Sequence, residues 1–83
     1  MPGKKELSFK NRDRYIMLGL NVAYYRKLEG MSQEKLAEIA GISRSFLSLI
    51  EAPNIITGTS LEVLYNLADA LRIDPEKLIE TRR

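Results

Sequence analysis

The sequence predicts an all-α domain built from five helices. Three observations predict it. Apolar residues recur at three- and four-residue spacing with no alternating β pattern. Helix-capping residues stand just before those periodic stretches, and the connections are short apart from one loop at residues 52–59, which holds Pro53 and Gly58. Eighty-three residues suffice for one small core.

Residues 1–12, MPGKKELSFKNR, carry no apolar period and include Pro2 and Gly3, so they read as a flexible basic arm ahead of a folded domain at 13–83. The first helix is expected over 13–29. Leu18, Val22, Tyr25 and Leu28 form its apolar spacing, and Gly30 supplies the stop. Ser32, Ser43 and Asp74 are N-cap residues whose side-chain oxygens accept from orphan backbone N–H groups. Each is flanked by an apolar pair at hydrophobic-staple spacing: Met31 with Leu36, Ile42 with Leu47, Ile73 with Leu78. Pro75 suits the first turn of the last helix. A fourth helix starts after Ser60 and buries Leu61, Leu64, Leu67, Ala68 and Leu71.

Composition narrows function. With neither histidine nor cysteine the chain lacks the commonest general base, the usual zinc ligands and any disulfide. Its carboxylates are scattered singly, so neither an enzyme, a metal site, a cofactor nor a small-molecule substrate is expected. No stretch approaches the roughly 20 apolar residues that span a bilayer, and the basic N-terminus has no apolar run behind it. A cytoplasmic location follows as the expectation. Residues 1–44 hold nine Lys/Arg against five Asp/Glu, while residues 45–83 hold four against six, so positive charge gathers in the N-terminal half. That half suits contact with phosphate.

Only Gly41 and Ile42 separate the second helix from the Ser43 cap of the third. Gly41 can take the left-handed conformation that ends a helix abruptly, and Ile42 drops into the core beneath the turn. Two helices so joined cross steeply and need small residues between them, which Ala37 and Ala40 provide. This is the pattern of a helix-turn-helix unit at about residues 32–51.

The segment MSQEKLAEIAGISRSFLSLIE resembles the Cro/CI-type (XRE) helix-turn-helix regulators. The Ser32-Gln33 start, the Leu-Ala of helix two, the Gly-Ile-Ser turn, and Ser48 with Glu51 fall at that family's spacing, as does SLEVLYNLADALRIDPEKL after the loop. The resemblance runs from residue 18 to residue 78. It implies a five-helix, lambda-repressor-like DNA-binding domain, acting as a sequence-specific transcriptional regulator on double-stranded DNA as a homodimer. It also implies that Gln33 contacts the DNA backbone and braces the reading helix, and that Arg26 and Glu51 form a partly buried structural ion pair. An antitoxin, or another protein-interaction module that also binds DNA, is the alternative reading.

Helix three can be read on its own physics. At 100° per residue from Arg44, Leu47 and Ile50 fall at about 300° and 240° and define the buried side. Ser45, Ser48 and Leu49 fall at about 100°, 40° and 140°, with Arg44 flanking them at the N-terminus. Arginine can bond guanine O6 and N7, serine can bond several base edges, and leucine can touch a thymine methyl. Gln33, Ser43, Arg44, Ser45, Ser48 and Leu49 are therefore the expected DNA-binding residues, Ser43 serving first as a cap. Phe46, near the boundary, is assigned to the core. Pro53 departs from the family pattern and the loop to Ser60 is longer than usual, leaving Asn54, Thr57 and Thr59 as loop residues that could contact phosphate. Lys4, Lys5, Lys10, Arg12 and Arg14 would add sequence-independent attraction. For dimerisation the expected surface is Leu78 and Ile79 with Val63 and Tyr65.

Overall fold

The computed structural model describes residues 9–81. A short 3-10 turn, Phe9–Asn11, leads into α1 (Arg12–Leu28), α2 (Gln33–Ala40), α3 (Arg44–Glu51), α4 (Leu61–Leu71) and α5 (Glu76–Ile79). No strand occurs among the described residues. α1 packs against α3 and α5, while α2 packs against α3 and α4. Leu36, Leu47, Leu67, Leu71, Leu78 and Val22 are fully buried where these helices meet.

The helix ends explain the tight turns. Gly30, Gly41 and Arg72 all adopt positive φ, at 72°, 76° and 61°. The next residue's N–H then reaches back five positions in each case: Met31 to Arg26, Ile42 to Ala37 and Ile73 to Ala68, all at 3.0 Å. These are Schellman closures, which satisfy orphan carbonyls and turn an apolar residue inward. Met31, Ile42 and Ile73 thus end one helix and precede the next cap, and all three pack against the core. The caps themselves form where Ser32, Ser43 and Ser60 accept from the N–H groups of Lys35, Phe46 and Val63 at 3.0–3.1 Å.

Four local expectations need correction. Helical structure is already present at Phe9, ahead of residue 13, and Asn11 Oδ1 accepts from Arg14 Nη1 at 2.9 Å across the join with α1. The rest of the expected arm, residues 1–8, lies outside the described residues. Leu28 is 66% exposed, because ten residues of helix beyond Leu18 rotate it about 80° off the buried line. Leu61 is also exposed, lying one turn before the buried stripe begins at Leu64. Asp74 makes no side-chain cap: its own carbonyl already accepts the Lys77 N–H at 2.9 Å, and α5 starts at Glu76 with Pro75 in the cap position.

A buried asparagine anchors this short last helix. Asn21, fully buried on α1, donates through Nδ2 to the carbonyls of Leu78 (2.9 Å) and Glu80 (2.8 Å). Both acceptors lie where α5 ends and would otherwise be orphaned. Among the described residues no helix is long and apolar enough to cross a membrane.

Candidate nucleic-acid interface

The short turn fixes how α3 is presented. α2 and α3 meet over Leu36, Ala37, Ala40, Leu47 and Ile50, all buried, and Phe46 packs half-buried against the same core. Those contacts consume one side of α3. On the other side Arg44, Ser45 and Leu49 are exposed, Leu49 by 45%, and Ser48 is half-buried beside them. Ser43 is exposed at the N-terminus, its hydroxyl accepting the Phe46 N–H. Four expected contact residues thus share one outward face, which offers a guanidinium, two hydroxyls and an apolar patch.

Behind that face lies a polar clamp. Arg26 meets Glu51 through both forks, Nε to Oε2 at 2.8 Å and Nη2 to Oε1 at 2.9 Å. The side chains are only 11% and 5% exposed. Arg26 Nη1 also donates to the Met31 carbonyl at 2.7 Å, and Gln33 Nε2 donates to Glu51 Oε1 at 3.0 Å. Buried charge is tolerated only when paired and hydrogen-bonded in this way. One carboxylate therefore ties α1, the α1–α2 turn and the start of α2 to the last residue of α3. Gln33 stands with the clamp rather than on the outward face.

Two further contacts set the seat of α3, and neither was legible as a motif. A β-carbon at Gly19 would clash with the Ile50 carbonyl oxygen and lie 3.1 Å from its carbon, so α1 and α3 approach backbone to backbone there. Thr57 Oγ1 donates to the Leu49 carbonyl at 3.2 Å, folding the long loop back onto the end of α3. Thr59 Oγ1 is buried without a hydrogen-bond partner. Of the three loop residues considered for phosphate contact, Asn54 is exposed, whereas Thr57 and Thr59 are half-buried.

The expected dimer surface is not assembled as anticipated. Leu78 is fully buried and belongs to the monomer's core, because the Asn21 bonds pull α5 inward. Val63 is half-buried against the same core, which leaves Ile79 and Tyr65 exposed.

A short turn between two closely packed helices, with a clamped third helix bare on one side, defines the helix-turn-helix regulators of the XRE class. The chain belongs to this family: residues 22–78 match the family model described as helix-turn-helix. It is 35% identical over 66 residues to the HTH-type transcriptional regulator SinR of Bacillus subtilis, covering 80% of this chain. The match spans 59% of SinR's length. Control protein C.SmaI of Serratia marcescens is 36% identical over 63 residues, 76% of this chain and 73% of that protein. Among solved structures, the restriction-modification controller protein C.AhdI of Aeromonas hydrophila superposes with a TM-score of 0.75 at 31% identity, covering 82% of this chain and 96% of that one. The N-terminal DNA-binding domain of SinR gives 0.74 at 34% identity, with 82% and 97% covered.

Proposed function

We propose that this chain is a sequence-specific DNA-binding transcriptional regulator that reads the major groove of double-stranded DNA with α3. The observation that carries the reading is the division of α3 itself. Arg44, Ser45, Ser48 and Leu49 face outward, while Leu47, Ile50 and the Arg26–Glu51–Gln33 clamp hold the opposite side. A reading helix needs both, since base discrimination depends on side chains delivered in fixed register. The relatives, a transcriptional regulator and two control proteins, agree with it.

Arg44 would take guanine O6 and N7, the serines nearby base edges, and Leu49 a thymine methyl. The N-terminus of α2, at Gln33, and the Ser43 turn would seat on phosphates, where free N–H groups and the helix dipole favour an anion. Exposed Lys10, Arg12 and Arg14 would add sequence-independent attraction. One short helix covers few base pairs, so two copies on half-sites related by a two-fold axis are proposed. Action is by occupancy in the cytoplasm, without catalysis.

Selection from random duplex DNA tests this. The expected product is a two-fold-symmetric motif whose strongest base preference weakens by about 1–3 kcal/mol in Arg44→Ala. Absence of enrichment, or a motif indifferent to Arg44, overturns it.

A further inference from the structure

α1 is apolar on two sides, and the fold fully buries only one of them. Its inner side carries Leu18, Val22 and Asn21 into the core, with Gly19 and Arg26 against α3. On the opposite arc Ile16, Met17, Leu20, Ala23, Tyr24 and Leu28 follow one another over four turns, a stripe about 20 Å long. Leu20, Tyr24 and Leu28 are exposed by 40%, 43% and 66%. A continuous apolar stripe of this kind on a folded domain marks an interaction surface.

The charges bordering the stripe say what fits it. Among the described residues on this arc the two charged ones are Asp13 at its start and Lys27 near its end, both exposed. Leu20 lies midway between them in sequence. Lay a second α1 antiparallel across the first, with the two-fold axis through Leu20. Asp13 of each copy then faces Lys27 of the other, Ile16 faces Tyr24, Met17 faces Ala23, and Leu20 meets Leu20. Leu28, at the end of the stripe, lies beyond this symmetric stretch and falls opposite Arg12. A surface whose central apolar positions and opposite charges map onto themselves under a two-fold rotation is what an isologous interface requires. The antiparallel helix dipoles favour the same arrangement. Among the described residues Asp13 has one loose exposed contact, of 3.4 Å with neighbouring Arg12, and its side chain is 96% exposed to a second partner.

We infer that this face of α1 docks a second copy of the chain, antiparallel, with Asp13–Lys27 pairs fixing the register. The inference deepens the two-copy reading above and rests on it only for the choice of partner. The stripe lies on the arc of α1 away from Gly19 and Arg26, so pairing leaves Arg44, Ser45, Ser48 and Leu49 uncovered. Exposed ion pairs add little affinity but discriminate register and partner.

Charge reversal followed by sedimentation equilibrium tests it on the full chain without DNA. Asp13→Lys places Lys against Lys27 twice, and Lys27→Asp places Asp against Asp13 twice, so each should raise the homodimer dissociation constant about tenfold. Mixed together, the two variants regain both attractive pairs, and a heterodimer should form within about threefold of the native constant. Recovery on mixing cannot arise from a folding defect in either variant. A native chain that stays monomeric up to about millimolar concentration, variants that associate as the native chain does, or a mixture no better than its components would each overturn the inference. In parallel, binding to a duplex carrying one half-site should be unchanged in Lys27→Asp. Loss of all DNA binding by the native chain would instead defeat the reading-helix proposal and leave the dimer result standing.

Discussion

Gly19 on α1 lies directly against the backbone carbonyl of Ile50, the penultimate residue of α3. Glycine inside a helix costs roughly 0.5–1 kcal/mol relative to alanine. Here it permits an approach that no side chain allows, and that approach sets the height at which the outward face of α3 stands above α1.

Gly19→Ala therefore reverses the usual preference. Helix propensity favours alanine, but its methyl meets backbone rather than the end of a flexible side chain, so α1 and α3 must separate. Overpacking of this kind costs about 1–3 kcal/mol. Urea denaturation should show a lowered midpoint, and DNA affinity should fall although no contact residue has changed. A variant as stable as the native chain would contradict the close approach.

The Arg26–Glu51 pair is expected to behave as a buried unit. Removing one partner, as in Arg26→Met, leaves a carboxylate that is 5% exposed with only Gln33 to meet it. Such losses run to about 3–5 kcal/mol, a large share of a small domain's stability. The double variant Arg26→Met with Glu51→Met removes both charges and should be less destabilised than the two single losses added together. Strict additivity in denaturant titrations would show that the pair is not coupled.

These two sites also show what a sequence reveals. Ser32 and Ser43 are legible as caps because a cap is local: it needs one side chain and one N–H three residues on. Asp74 has the same local pattern but no side-chain cap forms there. The outward set Arg44, Ser45, Ser48 and Leu49 followed from helical period alone once Leu47 and Ile50 were assigned inward. Gly19 and Asn21 were not read, since their partners lie 31 and 57 or more positions away. A signal for Asn21 was nevertheless present. It sits at the i+3 position between Leu18 and Val22 on the apolar line of α1, where an uncompensated polar side chain is costly. Leu78 was misplaced for the complementary reason. A four-residue helix has too little period to show which side faces inward, and the Asn21 bonds settle its direction.

Asn21→Leu, close in size and apolar, leaves the carbonyls of Leu78 and Glu80 without their donor. Leaving buried polar groups unsatisfied costs about 1–3 kcal/mol. The loss should be felt first at α5, so amide exchange at Leu78 and Ile79 should quicken more than exchange in α2. Uniform acceleration across all helices would mean that Asn21 stabilises the domain globally rather than latching its last helix.

Arg72 offers a stabilising change. It ends α4 in the left-handed region, φ 61°, a place that Gly30 and Gly41 fill at the other two such turns. An L-residue with a β-carbon gives up roughly 1–2 kcal/mol there, and glycine removes that strain while adding entropy to the unfolded chain. The strain is the larger of the two, so Arg72→Gly should gain about 0.5–1 kcal/mol. For a domain of this size that raises the melting temperature by about 2–8 °C. Arg72 is exposed and lies on α4's closing turn rather than on the outward face of α3, so DNA affinity should hold. Calorimetry on both proteins measures the difference directly, and a lower melting temperature for Arg72→Gly would mean that the arginine side chain contributes more than its backbone strain costs.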